Sequence, residues 1–208
     1  MSGPPVLIAS LNPGKARELS RLLREAGLET ATLRDCGLEG AYEETGATYE
    51  ENARGKAFHY AALAGRIAVA DDSGIEVDAL DGRPGPLSAR YGGEGLDDAA
   101  RCRRLLEELE GVPDERRTAR FVAVAAIARP DGEVRLFRGV CEGRILRATR
   151  GRGGFGYDPL FFCPELGASF AEVPLRRKDS VSHRGRAFRA LAGFLRTGAG
   201  RRFLRSTA

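Results

Sequence analysis

A short apolar run at residues 5–10 leads through Asn12-Pro13-Gly14-Lys15 straight into leucines at helical spacing, Leu19, Leu22 and Leu23. A buried strand by length, a tight turn and an amphipathic helix follow one another without a long connection. A chain that opens this way has a βα unit to build on, and such units call for a sheet covered by helices. Gly27 sits where glycine favours a helix stop, and residues 28–33 read as the next strand.

The same grammar continues along the chain. Residues 48–64 are alanine-rich and begin with Thr48 and Glu51 at capping-box spacing, and Gly65 ends that helix. Residues 67–70 form a short apolar strand that runs into Asp71-Asp72-Ser73-Gly74, and residues 75–80 alternate as a separate strand. Residues 81–95 are rich in glycine and proline and read as a structured loop, and residues 97–109 as an arginine-faced helix. Residues 119–128 and 133–142 form a hairpin across Pro130-Asp131-Gly132, with 143–149 extending the sheet. After a glycine-dense segment at 151–156 come a short strand at 160–163 and a last helix at 182–195. The basic tail beyond residue 198 is expected to fray. This is an α/β pattern with a mixed sheet.

At 208 residues, 42% of them hydrophobic, the chain suits one domain, residues 1–208, with a sizeable core and two lobes. A formal net charge of +4 is mild, and it suits an anionic small molecule as well as nucleic acid. Cys36, Cys102, Cys141 and Cys163 are widely spaced with no CxxC pair, so they read as reduced thiols and not as a disulfide frame or zinc site. No charged leader segment and no membrane-length apolar run is seen, and a cytoplasmic protein without a membrane partner is expected.

Lysine is the rarest charge here. Of 33 basic residues only Lys15, Lys56 and Lys178 are lysines, and each lies in a polar segment. A compact ammonium suits contact with one phosphate oxygen, whereas arginine is a planar fork. The segment from Ser10 through Leu11, Asn12, Pro13 and Gly14 to Lys15 sits at a strand-to-helix junction, where a helix N-terminus offers N–H groups and positive potential to an anion. It also reads as a plain helix start, with Asn12 as cap and Pro13 in the first turn. It is not a Walker A loop. Glu43-Glu44 and Asp71-Asp72 are two acidic pairs. Oxygen donors beside a phosphate imply Mg²⁺, and one carboxylate near a water can act as general base. The run from Gly151 to Asp158, with Phe155 and Tyr157 flanked by glycines, lets backbone approach a ligand and offers an aromatic for stacking; it also reads as a tight loop with its aromatics turned into the core. His183 stands beside Arg184 and near Lys178; His59, in the alanine-rich helix, reads as a packing residue.

Taken together these segments resemble the inosine/xanthosine triphosphate pyrophosphatase family. The matches are Ser10-x-Asn12-x-Gly14-Lys15, Glu43-Glu44-Thr45-Gly46-x-Thr48 with Glu51-Asn52-Ala53 and Lys56, Ala70-Asp71-Asp72-Ser73-Gly74, Pro84-Gly85 with Ser88-Ala89-Arg90-Tyr91, Gly153 to Pro159, and Ser182-His183-Arg184-Gly185. They occur in family order and span nearly the whole chain. Leu11, where a small residue is common, and the stiffening Pro13 are the departures in the first loop. Phe58 and Tyr60 make the second helix more aromatic than the family leads one to expect. The resemblance implies an elongated two-lobed mixed sheet flanked by helices with a central substrate cleft, commonly dimeric. It implies hydrolysis of the α–β bond of ITP, dITP and XTP to monophosphate and pyrophosphate. It assigns Ser10 to Lys15 and Lys56 to the triphosphate, and Glu43 and Asp72, with Glu44 close by, to Mg²⁺. Asp72 is also the base that activates water. Ser73, Phe155, Gly156, Tyr157, Asp158, Lys178, His183 and Arg184 fall at the nucleoside end.

Two other readings compete. A Maf-type nucleotide pyrophosphatase needs a Ser-Pro-Arg-Arg-like first loop, which Asn12-Pro13-Gly14-Lys15 does not supply. A nucleic-acid-binding module fits a pI near 9.1, but the acidic pairs oppose a phosphate backbone.

Overall fold

The computed structural model of this chain describes residues 5–93 and 95–205. Residues 1–4, residue 94 of the 81–95 loop and residues 206–208 of the tail lie outside the described residues. Among the described residues seven strands are formed: β1 (Val6–Ile8), β2 (Thr30–Thr32), β3 (Ala68–Val77), β4 (Thr118–Ala128), β5 (Val134–Ile145), β6 (Phe161–Cys163) and β7 (Ala168–Ser169). They build one mixed sheet in the order β2-β1-β3-β4-β5-β6-β7. β1 pairs parallel with β2 and β3, and β6 pairs antiparallel with β5 and β7. Parallel neighbours need a crossover. Helix α1 (Pro13–Glu25) supplies it between β1 and β2, and α2 (Tyr49–Ala64) lies between β2 and β3. The predicted capping box of α2 forms between Thr48 and Glu51, and Gly65 closes the helix at φ 60°.

The pattern predicts two strands parted at the acidic pair. The chain instead runs through Asp71-Asp72-Ser73-Gly74 in a single extended strand, β3. Aspartate, serine and glycine are poor strand formers in isolation. A central place in the sheet outweighs that preference, and Gly74 makes room for what packs on it. A Cβ at Gly74 would lie 2.1 Å from the Gly85 carbonyl oxygen. Ser88 ties the same neighbourhood, donating to the Gly85 carbonyl at 2.6 Å and accepting from the Ile75 N–H at 2.9 Å.

Helix α3 (Asp98–Glu108) is capped by Asp97, whose carboxylate accepts from the Ala100 N–H at 2.7 Å. The hairpin between β4 and β5 closes with the Arg129 N–H on the Glu133 carbonyl at 2.9 Å. Helix α4 (Leu175–Val181) and strand β7 were not legible in the periodicity, being too short to show one. Helix α5 (His183–Arg196) is followed by α6 (Gly198–Arg205). The expected fraying of the tail is therefore corrected over that span: Phe203 and Gly200 are buried and anchor it.

The chain divides into two compact units. The first comprises Met1–Asp72, Ala123–Arg138 and Ala187–Ala208. Its core joins Ile8, Leu19, Leu23, Val69, Ile127, Phe188 and Leu191. The second comprises Ser73–Val122 and Gly139–Arg186. Its core joins Ile75, Val77, Leu105, Phe121, Phe161 and Phe170. Among the described residues no helix is long and apolar enough to cross a membrane.

Candidate active site

The first unit gathers two of the three lysines with three carboxylates. β3 is covered on both faces, so Asp71 and Asp72, which point to opposite sides, are both buried. A buried carboxylate needs a partner. Lys15, from the first turn of α1, lies 3.5 Å from Asp71. Asn52, on α2, donates from Nδ2 to Asp72 Oδ2 at 3.1 Å and accepts the Gly46 N–H on Oδ1 at 2.8 Å. Lys56, one turn further along α2, is bonded to Glu44. Burial pushes the Asp72 carboxyl up, and Glu44 adds to that, while Lys15, Lys56 and the Asn52 bond pull the other way; the net shift is upward. For Lys56 burial opposes the charge, yet Asp71, Glu44 and Asp72 overcome it and hold the ammonium above its ordinary range. Three carboxylates against two ammonium groups leave one negative charge in excess when all are ionised, a balance that a cation would offset.

The loop before α1 adopts the capped helix start. Asn12 Oδ1 accepts from the N–H groups of Gly14 and Lys15 at 2.9 and 3.1 Å, and Pro13 opens the helix. The first turn of α1 contains no acidic residue, so its positive end is not neutralised locally. Ser10 is half-buried, and Leu11, Asn12 and Pro13 are exposed at this end. Of the acidic pair ahead of α2, Glu44 turns inward to Lys56 while Glu43 is exposed.

The second unit gathers the other sequence-marked residues. Lys178 and Asp158 form a buried ion pair at 2.6 Å. The Asp158 Oδ2 atom also accepts the Phe155 N–H at 3.0 Å, which folds the glycine-rich loop back on itself. Gly154 is required there. Its φ is +73°, and a Cβ would lie 2.0 Å from Asp158 Oδ2. The Phe155 ring has two cations near its face, Lys178 Nζ at 5.0 Å and Arg184 Cζ at 5.1 Å from the centroid. Arg184 donates to Ser73 Oγ at 2.6 Å. The Gly156 N–H is taken by Asp98 at 2.7 Å.

Two residues are placed differently from a simple ligand contact. The Tyr157 side chain is buried and donates to the Ser88 carbonyl at 2.9 Å; burial pushes its phenol up. Its place is under the loop. The His183 ring is buried and stacks on Phe121 at 4.6 Å. Its imidazole therefore serves the core of the second unit. His59 is exposed, its ring packed beside Tyr42 and Tyr60 at 5.4 and 4.9 Å.

Asp71, Asn52 and Ser88 carry parts of this geometry and were not singled out individually. Asn52 had a signal, an amide on the buried face of an alanine-rich helix. Asp71 was hidden because the acidic pair was placed between two strands, and only a continuous strand with both faces covered buries two adjacent carboxylates.

Comparison with known proteins bears on the whole chain. The model of the Ham1 family matches residues 6–194. The dITP/XTP pyrophosphatase of Thermus thermophilus is 51% identical over 191 residues, 92% of this chain and 91% of that protein. The dITP/XTP pyrophosphatase of Desulforamulus reducens is 48% identical over 184 residues, 88% and 92% of the two chains. Among solved structures, a HAM1 protein from Coxiella burnetii superposes with a TM-score of 0.83 at 38% identity, covering 94% of this chain and 98% of the other.

Proposed function

This chain belongs to the Ham1 family, and on that premise we propose that it is a nucleoside triphosphate pyrophosphohydrolase acting on deaminated purine nucleotides. It cleaves the α–β bond of dITP, ITP or XTP, giving the monophosphate and pyrophosphate. The observation that carries this reading is the charge cluster of the first unit, Lys15, Lys56, Glu44, Asp71 and Asp72.

The donor set fits Mg²⁺. It offers carboxylate oxygens without sulfur or imidazole and holds an excess negative charge, and Asp72, pushed up first by burial and then by Glu44, would gain from a cation beside it. The resemblance names Glu43 and Asp72 for the ion with Glu44 close by; because Glu44 is the one turned inward, Glu44 and Asp72 would hold it, with Glu43 beside them. When bound, Mg²⁺ supplies positive charge against the triphosphate oxygens. Lys15, Lys56 and the N-terminal end of α1 draw in the triphosphate, and Asp72 takes the proton of the attacking water. Lys15→Arg is expected to lower kcat by about tenfold or more although charge is kept, because a planar fork does not replace a point contact. An unchanged kcat would remove the lysine argument.

The nucleoside belongs to Ser73, Phe155 to Asp158, Lys178, His183 and Arg184. Hypoxanthine and xanthine carry an acceptor where adenine carries a donor. Arg184, a donor without any acceptor, rewards the oxo group and leaves adenine unmatched. Arg184→Ala is expected to shrink the dITP-to-dATP ratio of kcat/KM by about tenfold to a hundredfold, the worth of a hydrogen bond to a charged group. A ratio left intact would place discrimination elsewhere.

The direct test is product analysis with dITP, ITP, XTP, GTP and ATP, each with Mg²⁺ and with EDTA. Pyrophosphate release from the deaminated purines, lost in EDTA, is expected. Orthophosphate release, or equal rates on ATP, would overturn the proposal. A homodimer in the cytoplasm, where its cysteines stay reduced, completes the reading; light scattering tests the dimer.

A further inference from the structure

Cys141 and Cys163 stand far apart in the sequence, but sheet register joins them. β5 and β6 pair with Arg144 opposite Phe162 and Ile145 opposite Phe161. One pair further on, Cys163 stands opposite Gly143, and Cys141, two residues beyond Gly143 on β5, comes to the same face, with the two sulfurs 3.8 Å apart. Both are fully buried. Glu165, in the turn that follows β6, adds a carboxylate oxygen, and one donor atom from each of the three residues lies within 4.8 Å of the others.

The spacing has a chemical meaning. A disulfide needs its sulfurs about 2.05 Å apart. Two thiolates on one tetrahedral zinc ion, at about 2.3 Å each, are held about 3.8 Å apart. At 3.8 Å the two thiols are in hydrogen-bond contact with each other, and the same separation is that of two ligands on a shared ion. We propose that Cys141, Cys163 and Glu165 form a binding site for Zn²⁺, distinct from the oxygen-donor cluster of the first unit, with the fourth position open.

The surroundings suit such an ion. The Leu166 N–H donates to the Cys163 carbonyl at 3.1 Å, closing the turn that carries Glu165 beside the Cys163 sulfur. Two thiolates and a carboxylate around a dication leave one negative charge. Arg186 stands beside it, bonded to Glu165 and, at 2.9 Å, to the Val140 carbonyl. Glu165 is half exposed, so the donors reach solvent through it although the sulfurs do not. Sulfur donors select zinc over magnesium, and binding releases the thiol protons to water.

The test uses the full chain, stripped of metal, reduced with a phosphine and titrated with Co²⁺. A thiolate-to-cobalt charge-transfer band is expected, saturating at equimolar cobalt, bleached by equimolar Zn²⁺ and untouched by excess Mg²⁺. Cys141→Ser and Cys163→Ser should abolish it, and Cys36→Ser and Cys102→Ser should not. The buried substitutions put folding at risk, so Glu165→Gln is the second arm. It lies at the surface and should weaken Zn²⁺ binding by about tenfold or more. Absence of the band, its survival in Cys163→Ser, or unchanged affinity in Glu165→Gln would overturn the site. The readout is independent of nucleotide hydrolysis.

Discussion

Asp72→Asn is expected to reduce pyrophosphate release from dITP by about 10³-fold, within the range that removal of a positioned general base commonly costs. The same substitution is expected to leave the fold intact. Asp72 is buried and its carboxyl is pushed up, first by burial and then by Glu44. A carboxyl whose folded pKa is raised destabilises the folded state while it is ionised, and that cost is relieved as pH falls. An asparagine carries no charge, so it relieves the cost at every pH. Its amide oxygen still accepts from Asn52 Nδ2, which now bonds Asp72 at 3.1 Å. Lys15 and Lys56 keep Asp71 and Glu44. The variant's melting temperature at neutral pH should therefore equal or exceed that of the parent, while its turnover collapses. Near-normal turnover would remove Asp72 as the base. A collapse of both would show that Asp72 holds the structure and leave its chemistry to another group. A residual rate that falls with pH in the parent but not in the variant would tie the acid limb to this carboxyl.

What the sequence made legible follows the length of each signal. The first strand, α1 and α2 were readable because each carries a period or a cap over several turns, and Thr48 with Glu51 is visible without any tertiary knowledge. β3 was misread because its acidic centre looks like a turn locally, and only the central place in the sheet extends it. The tail helix depends on Phe203, a single buried ring, and single residues leave no periodic mark. At the site, Lys15, Lys56, Asp72 and Arg184 stood out by residue type and segment. Their partners did not, because pairing joins distant positions: Asn52 meets Asp72 and Arg184 meets Ser73. The Cys141–Cys163 pair is the extreme case. Their spacing in the sequence reads as separate reduced thiols, and only strand register shows that the two sulfurs meet.

Lys178→Met carries the largest expected effect on stability. Lys178 and Asp158 are almost wholly withdrawn from water, and their 2.6 Å bond is direct. Breaking such a pair from one side leaves a buried charge without its partner, which costs about 3–5 kcal/mol. For a chain of this size that corresponds to a fall of roughly 6–20 °C in melting temperature. Methionine fills much of the lysine stem's volume, so the loss measures charge more than cavity. The ammonium has further work, since it also faces the rings of Phe155 and Phe170 at 5.0 and 5.4 Å. Removing it loosens the Phe155 ring, which on the proposed function meets the nucleoside, as well as the loop. The control is the double variant Lys178→Met with Asp158→Asn, in which no buried charge is left. It should recover part of the lost stability, because a neutral amide can still accept the Phe155 N–H that Asp158 now holds at 3.0 Å. Recovery of stability without recovery of KM for dITP would assign the pair two separate roles, holding the loop and meeting the nucleoside. A single variant as stable as the parent would show that the pair contributes nothing beyond its own desolvation.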